Sequence, residues 1–244
     1  MKLYPAIDVL DGRVVRLERG DFDVVTDYEA DPARIAAGFA AAGADWLHLV
    51  DLSGARDGAR RQTGLLGSLA ATDLRIQTGG GVRHENDVAE LLAAGADRVI
   101  VGSLAVKAPE TVSSWIKAFG AEKIVTAFDV RVTGGIARPT ASGWTVTAEE
   151  ALDDLLARYA GSGLAHALVT DISKDGMLSG PNTTLYAGLA DGWPDIRWQA
   201  SGGVSSLDDL SALATAGADG AIVGKALYEG RFALEEGLSC LQDG

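Results

Sequence analysis

Two aspartates stand in matching surroundings and are the first candidates for chemistry. Asp8 lies in PAIDV (5–9), and Asp129 occupies the same place in TAFDV (126–130). Two carboxylates that face one ligand can act as base and acid if their surroundings separate their pKa values. An aspartate after a strand can also cap the next turn, which is the alternative for each of them. The paired context favours a catalytic role.

More polar residues stand where apolar stretches end. Asp51 closes WLHLVD, Thr170 and Asp171 close HALVTD, and Asp175 follows in the next loop. If these stretches are strands of one barrel, their carboxyl ends meet on the face where such barrels carry their active sites. The sequence therefore predicts carboxylates and a hydroxyl around a shared ligand. His48, within WLHLVD, can face the interior of the same barrel.

Four glycine-containing segments are candidates for holding phosphate groups. They are GGGVR (79–83), VGS (101–103), SGGVSS (201–206) and VGK (223–225). Glycine lets backbone N–H groups approach a ligand closely, and a helix N-terminus adds partial positive charge. Tight turns are the alternative, but the segments form two matching pairs. The candidate residues are Gly80, Gly81, Arg83, Gly102, Ser103, Ser201, Gly202, Gly203, Gly224 and Lys225. Arg83 and Lys225 either supply cations there or are solvated surface residues.

Two long segments are expected to cover the ligand, and each follows one of the paired aspartates. Residues 12–29 are charged and can close over the ligand through Arg16 or Gly20. Residues 131–146 carry Trp144, whose ring can stack on a planar ligand or pack on the rim of the barrel.

Short apolar runs alternate with segments of helical periodicity along the whole chain. The predicted strands are 3–8, 46–51, 74–79, 98–102, 124–129, 166–171, 196–201 and 221–224. The predicted helical segments include 31–43, 85–95, 109–120, 148–163 and 207–217, and several end at glycine. Eight alternations in a chain of this length predict an α/β fold of the (β/α)₈ TIM barrel type, with a doubly wound open sheet as the alternative.

An internal repeat favours the barrel over the open sheet. Residues 77–105 and 199–227 align without a gap, as QTGGGVRHENDVAELLAAGADRVIVGSLA and QASGGVSSLDDLSALATAGADGAIVGKAL. We expect a single domain over 1–244, built from two similar half-barrels of about 1–122 and 123–244, called the first and second halves below. The repeat also predicts two phosphate pockets on opposite sides of the mouth.

The composition narrows the classes of function. The 244 residues carry a net charge of -13, which argues against nucleic acid, because nucleic-acid binding needs a basic face. Cys240 is the only cysteine, and the three histidines lack metal-ligand spacing, so we expect no metal. No apolar run approaches a membrane span and the N-terminus lacks a signal-peptide layout, so the chain is expected to be cytoplasmic, without a membrane partner.

Taken together, these motifs resemble the ProFAR isomerase family of histidine biosynthesis. The matching segments run nearly end to end and include PAIDVLDGRVVRLERGDF, WLHLVDLSGA, GGGVR, TDISKDGML, SGGVSS and VGKAL. Members of this family convert ProFAR, an aminoaldose joined to an imidazole carboxamide ribotide, into the corresponding aminoketose, PRFAR. The resemblance implies an aldose–ketose isomerase that performs an Amadori rearrangement on a bisphosphorylated small molecule. It also implies that the enzyme needs no cofactor and that it is a monomer.

The resemblance also implies roles for individual residues. Asp8 is the expected general base that removes the C2′ proton, and Asp129 the expected general acid that helps to open the ribose ring. Thr170 and Asp175 assist, with Asp175 as the competing acid, and Gly176 of the same TDISKDG motif is assigned to binding.

Three related functions remain as alternatives. The cyclase of the same pathway begins with a motif like CLDVKDGRVVKG, which differs from PAIDVLDGRVVRLERG here. Dual-substrate relatives that also process phosphoribosylanthranilate carry arginine before the Gly-Trp of the fifth loop, where this chain has Ser142. A phosphosugar-binding protein without catalysis would not need both Asp8 and Asp129.

Overall fold

The structure, a computed structural model, describes residues 1–18, 20–58, 63–69, 72–141, 144 and 146–242. Eight parallel strands form a closed barrel: β1 (Lys2–Leu10), β4 (Trp46–Asp51), β5 (Arg75–Gly79), β6 (Arg98–Val101), β7 (Ile124–Thr133), β10 (His166–Asp171), β11 (Arg197–Ser201) and β12 (Gly220–Val223). They pair in that order, and β12 returns to β1. All eight predicted strands are present, so the (β/α)₈ prediction is confirmed and the open sheet is wrong.

Helices follow the barrel strands and surround them. They are α1 (Pro32–Ala41), α2 (Leu52–Asp57), α3 (Thr63–Leu69), α4 (Glu85–Ala93), α5 (Ser103–Lys107), α6 (Pro109–Phe119), α7 (Leu152–Ala157), α8 (Thr183–Gly192), α9 (Leu207–Thr215), α10 (Lys225–Tyr228) and α11 (Leu234–Cys240). The helix predicted from the pattern over 148–163 is only α7, which is shorter. Within the described residues, no helix is long and apolar enough to cross a bilayer.

The two covering segments are antiparallel strands rather than irregular loops. In the first, β2 (Arg13–Glu18) pairs with β1 and with β3 (Asp21–Asp27). In the second, β8 (Ile136–Ala141) pairs with β7 and with β9 (Val146–Thr147). The turns between paired strands are Asp11–Gly12 and Gly134–Gly135, all with positive φ, and such dipeptides are typical hairpin signals. β1 and β7 therefore extend beyond the barrel and carry the covers directly.

Several residues shared by the two copies of the repeat have structural reasons. Asp87 accepts hydrogen bonds from two backbone N–H groups just before α4, and Asp209 does the same before α9. Asp97 accepts from the second backbone N–H of β5 at 2.9 Å, and Asp219 from the second of β11 at 3.0 Å. These bonds start the helix and anchor the strand in each half, so the repeated aspartates need no catalytic explanation.

Two apolar layers position the site. The larger lies between the strands and the helices. The smaller fills the inside of the barrel and includes Tyr4, Ala6, Ile100, Leu168 and Ile222. Because side chains alternate along a strand, Asp8 faces inward together with Ala6, and Thr170 together with Leu168, one layer nearer the mouth. The barrel core therefore forms the floor of a polar cavity.

Candidate active site

A cavity of about 1030 Å³ opens at the carboxyl ends of the barrel strands. All the candidate residues proposed from the sequence except Asp51 and Asp171 line it: Asp8, Arg16, Gly20, His48, Gly80, Gly81, Arg83, Gly102, Ser103, Asp129, Trp144, Thr170, Asp175, Gly176, Ser201, Gly202, Gly203, Gly224 and Lys225. The structure thus brings both halves of the repeat to one site. The chemical role of each residue remains a prediction.

Asp51 and Asp171 end barrel strands without entering the cavity. Asp51 is buried and accepts a hydrogen bond from the backbone N–H of Gly54 at 2.7 Å. Asp171 is buried and accepts from the backbone N–H and hydroxyl of Ser173, and from the side-chain amide of Asn182. Both aspartates are therefore caps of the following segments, as the alternative explanation for strand-end aspartates states.

Asp8 is held by an arginine from the first cover. Arg16 Nη1 on β2 lies 2.5 Å from Asp8 Oδ2, and Arg16 Nη2 donates to the carbonyl of Ala6 at 2.8 Å. Burial raises the pKa of the Asp8 carboxyl above its ordinary value, while the Arg16 charge opposes that rise. The net shift is upward, so Asp8 is a stronger base than an exposed aspartate would be.

Asp129 is held by the second cover. The indole N–H of Trp144 donates to Asp129 Oδ2 at 2.7 Å. Burial raises the pKa of Asp129, and hydrogen bonds from Trp144 and Thr170 oppose that rise. A side chain at Gly20 would lie 3.1 Å from the Trp144 ring, so the two covers meet above the cavity. Trp144 therefore contacts the proposed acid as well as the opposite cover.

Asp175 lies between these groups. Burial raises its pKa to about 6, and the charges of Asp8 and Asp129 push it in the same direction, while Arg16 and Lys225 oppose the shift. A carboxyl with a pKa of about 6 is protonated about one-tenth of the time at pH 7, far more often than an ordinary aspartate. Three carboxylates with different surroundings thus share one cavity, which is the arrangement that acid–base catalysis requires.

The raised pKa of Asp175 predicts a pH-dependent effect on stability. The folded chain binds this proton more tightly than an unfolded one, because its folded pKa of about 6 exceeds the ordinary 3.8. Its contribution to stability is therefore full below about pH 4 and is lost as the pH rises through 6. Asp175→Asn cannot ionise, so we expect its Tm to exceed the wild-type Tm at pH 8 and to match it at pH 4.

Thermal unfolding of both proteins at pH 4, 6 and 8 measures this difference. Glu110→Gln is a suitable control, because Glu110 is exposed and pairs with Arg158 on the outer helix layer. A difference between Asp175→Asn and wild type that does not change with pH would contradict a raised pKa at Asp175.

The glycine turns are close approaches of backbone in both halves. Gly81 and Gly203 have φ of +74° and +89°. A Cβ at Gly81 would lie 2.7 Å from the carbonyl of Gly54, and one at Gly203 would lie 2.4 Å from the carbonyl of Gly180. These glycines are thus required by loop packing whether or not a phosphate binds. The tight-turn explanation is correct for them, and it is compatible with a binding role.

Gly102 and Gly224 differ from these turns. They have ordinary negative φ and stand at the N-caps of α5 and α10. Gly102, Ser103, Gly224 and Lys225 all line the cavity, so the N-termini of both short helices stand at its wall. A Cβ at Gly224 would collide with the Arg16 guanidinium, which therefore lies directly against the glycine turn of the second half.

Cations stand on both sides of the cavity. On the second-half side are Arg16 and Lys225, whose ammonium donates to the carbonyl of Gly176 at 2.8 Å. On the first-half side, Arg83 is joined by Arg56 and Lys107, which the sequence analysis missed. Arg56 and Lys107 lie in the last turns of α2 and α5, the short helices that follow β4 and β6. This position in the sequence, soon after a barrel strand, could have indicated that they belong to the site.

Among the described residues, no group of three or more His, Cys, Asp or Glu side chains could hold a metal ion. The cavity instead offers carboxylates, guanidinium and ammonium groups, and backbone N–H donors. These groups suit an anionic ligand and proton transfer.

The fold and the site define the class, which is a (β/α)₈-barrel protein with a carboxylate-lined cavity between two pairs of glycine turns. A family model described as histidine biosynthesis protein matches residues 2–233. The chain belongs to this family of histidine biosynthesis proteins.

Curated relatives cover the same length. The chain is 61% identical over 243 residues to a protein of Maricaulis maris (strain MCS10), which covers 100% of both chains. It is 51% identical to one of Xanthomonas euvesicatoria pv. vesicatoria (strain 85-10), over 98% of both chains, and 48% identical to one of Psychromonas ingrahamii (strain DSM 17664 / CCUG 51855 / 37), over 99% of both chains. All three are named 1-(5-phosphoribosyl)-5-((5-phosphoribosylamino)methylideneamino) imidazole-4-carboxamide isomerase.

Proposed function

We propose that this chain isomerises ProFAR to PRFAR by an Amadori rearrangement. The relatives are named for a substrate with two 5-phosphoribosyl groups, one on each side of an imidazole carboxamide. One observation carries the proposal: the cavity places three carboxylates between two glycine-turn pairs, each flanked by cations. A ligand with a phosphate at each end and a reacting sugar between them suits this layout.

The two phosphates are assigned to opposite sides of the mouth. On the first-half side, Arg56, Arg83 and Lys107 supply charge beside the Gly102 turn. On the second-half side, Lys225 and Arg16 stand beside the Gly224 turn. Backbone N–H groups at helix N-termini and flanking cations are the usual partners of phosphate. The net charge of -13 does not oppose this assignment, because these cations line the cavity itself and a phosphate responds to the groups next to it.

The rearrangement gives protons to the ring oxygen and to C1′, and it takes protons from C2′ and from the C2′ hydroxyl. A carboxylic acid protonates the ring oxygen of the aminoaldose, the C1′–O bond breaks and an iminium forms. A carboxylate then removes the C2′ proton, a C1′–C2′ double bond forms and the iminium electron pair returns to nitrogen. The resulting enaminol becomes the aminoketose when C1′ gains a proton and the C2′ hydroxyl loses one. We assign the C2′ proton to Asp8 and the ring oxygen to Asp129, with Thr170 holding Asp129 in place.

Asp175 is the second candidate for the acid. Its pKa of about 6 lets it hold a proton near neutral pH more often than an ordinary aspartate, whereas at Asp129 burial raises the pKa and the Trp144 and Thr170 hydrogen bonds oppose that rise. The two assignments predict opposite rankings of kcat for Asp129→Asn and Asp175→Asn.

Trp144→Phe tests the link between the second cover and Asp129. The variant keeps an aromatic ring but loses the N–H that donates to Asp129 at 2.7 Å. Because that bond favours the carboxylate form, its loss raises the pKa of Asp129 further. We expect kcat/KM to fall about threefold to tenfold, as for one lost hydrogen bond.

The pH–rate profile of Trp144→Phe supplies a second readout. The limb that reports Asp129 is expected to move to higher pH, and rates from pH 5 to 9 measure it. An unchanged profile with an unchanged kcat/KM would show that the indole N–H does not act on the reacting carboxyl.

Steady-state assays of the purified chain with ProFAR and, separately, with phosphoribosylanthranilate test the proposed function. We expect turnover of ProFAR and no measurable turnover of phosphoribosylanthranilate, as the serine at position 142 suggests. Ser142 itself lies outside the described residues. Binding of ProFAR without turnover would support a phosphosugar-binding protein instead, and turnover of both would support a dual-substrate enzyme.

We further propose that the chain acts in the cytoplasm as a monomer, without nucleic acid, and that its single domain combines half-barrels of about 1–122 and 123–244. Sedimentation of the purified protein, with and without substrate, tests the monomer.

A further inference from the structure

Two glutamines that occupy the same position in the repeat touch each other inside the barrel. Gln77 Nε2 donates to Gln199 Oε1 at 2.8 Å, and the two residues are 122 positions apart. Both side chains are almost fully buried below the cavity. A residue that contacts its own counterpart must lie beside the pseudo-two-fold axis that relates the halves. The pair therefore occupies the centre of the barrel, beneath the proposed site.

The surroundings of the two glutamines are not symmetric. Gln77 on β5 is in register with His48 on β4, and Gln199 on β11 is in register with Leu168 on β10. Gln77 Nε2 lies 2.9 Å from His48 Nδ1, whereas leucine offers Gln199 no polar partner. Gln199 Nε2 accordingly has no hydrogen-bond partner among the described residues. Gln77 Nε2 therefore faces both acceptors, Gln199 Oε1 on one side and His48 Nδ1 on the other, while Gln77 Oε1 also lacks a partner among the described residues.

His48 connects this glutamine pair to the cavity. The ring lines the cavity, while its Nδ1 is engaged by Gln77 from the barrel interior. With the Gln77 amide in this orientation its nitrogen donates and Nδ1 accepts, and the proton of the neutral ring then resides on Nε2. Burial and the nearby Arg16 charge lower the pKa of His48 to about 3, which keeps the ring neutral.

We propose that Gln77, oriented by Gln199, is a positioning residue that holds His48 as the Nε2–H tautomer, so that the imidazole donates a hydrogen bond to an acceptor atom of the bound substrate. The kinetic part of this inference rests on the proposed isomerase function, whereas the tautomer does not. One half of the barrel thereby presents a neutral donor where the other half presents leucine. This difference distinguishes the two ends of a substrate whose phosphates are alike.

Nitrogen-15 NMR of the ring nitrogens tests the tautomer without any substrate. The chain contains three histidines, so a His48→Gln variant identifies the His48 signals by subtraction. We expect wild-type His48 to show a protonated Nε2 and an unprotonated Nδ1 from pH 5 to 8. A protonated Nδ1 would overturn the proposal, because Gln77 would then be the acceptor and Nε2 could not donate.

Gln77→Met and Gln199→Met form a matched pair of variants. Each removes one buried amide from the same axis and leaves a side chain of similar size, but only Gln77→Met removes the partner of His48 Nδ1. We expect Gln77→Met to give a mixture of His48 tautomers and about a tenfold loss of kcat/KM, mainly through KM. Gln199→Met is expected to retain the tautomer and to lose less than about threefold.

Equal losses and equal tautomer mixtures in the two variants would show a merely structural role and overturn the proposal. If Gln77→Met does not fold, the tautomer of His48 in the wild-type protein still tests the proposal, because a protonated Nδ1 there is sufficient to reject it. If wild type lacks turnover of ProFAR, the proposed function fails, while the NMR result on His48 stands by itself.

Discussion

Asp8→Asn is expected to lower kcat for ProFAR about 10²- to 10⁴-fold, the usual contribution of a general base. Asparagine keeps the size of the side chain and can accept a hydrogen bond from Arg16, but it cannot take the C2′ proton. The ion pair with Arg16 at 2.5 Å is lost, although Arg16 keeps its bond to the carbonyl of Ala6. Substrate affinity should therefore change by only a few-fold.

Turnover and binding must be measured together for this variant. Steady-state rates give kcat, and calorimetric titration with ProFAR gives Kd for a protein that hardly turns over. Glu110→Gln is the matched control, because it also changes a carboxylate into an amide and breaks an arginine ion pair, but on the exposed helix layer. If Asp8→Asn kept the wild-type kcat, Asp8 would not be the general base. If the variant lost affinity for ProFAR but kept a normal kcat, Asp8 would be a binding residue instead.

Asp129→Asn is expected to lower kcat about 10²- to 10⁴-fold if Asp129 protonates the ring oxygen. The amide cannot donate the needed proton with the acidity of a carboxyl. Trp144 and Thr170 both form hydrogen bonds with the Asp129 carboxyl, and both can still contact the amide oxygen of the asparagine. The second cover should therefore stay in place. The loss should therefore appear in kcat and leave KM nearly unchanged.

Asp175→Asn is the comparison that decides between the two acids. If Asp129 is the acid, Asp175→Asn should cost at least tenfold less kcat than Asp129→Asn, because Asp175 then only assists. The acidic and basic limbs of both pH–rate profiles give a further check. The reverse ranking, with the limb near pH 6 lost in Asp175→Asn, would move the acid role to Asp175.

The eight barrel strands were predictable because each is a short apolar run ending in a polar residue or glycine. It is harder to predict from the sequence that Asp8 and Thr170 face the cavity whereas Asp51 and Asp171 do not. Thr170 faces the cavity and its neighbour Asp171 faces the helix layer, because successive side chains of a strand point to opposite sides. A period of two along HALVTD predicts that Thr170 and Asp171 face opposite sides, but which side lines the cavity depends on how the sheet closes.

Other parts of the site depend on pairings between distant segments. The contact of Arg16 with Asp8 requires the register of β1 with β2, in which Asp8 opposes Val15. The bond between Gln77 and Gln199 requires the barrel to close, so that positions far apart in the chain meet at its centre. Local propensity carries no information about either contact, whereas the repeat could have suggested the second.

The central claim is that the cavity carboxylates move the C2′ proton of ProFAR without help from a metal ion. Turnover of ProFAR by protein dialysed against EDTA tests it most directly. Among the described residues, no three His, Cys, Asp or Glu side chains form a group that could hold a metal ion. We predict that the chelated protein isomerises ProFAR at the rate of the untreated protein. A chelated protein that still binds ProFAR but has lost turnover, and regains it on addition of a divalent metal, would contradict the claim.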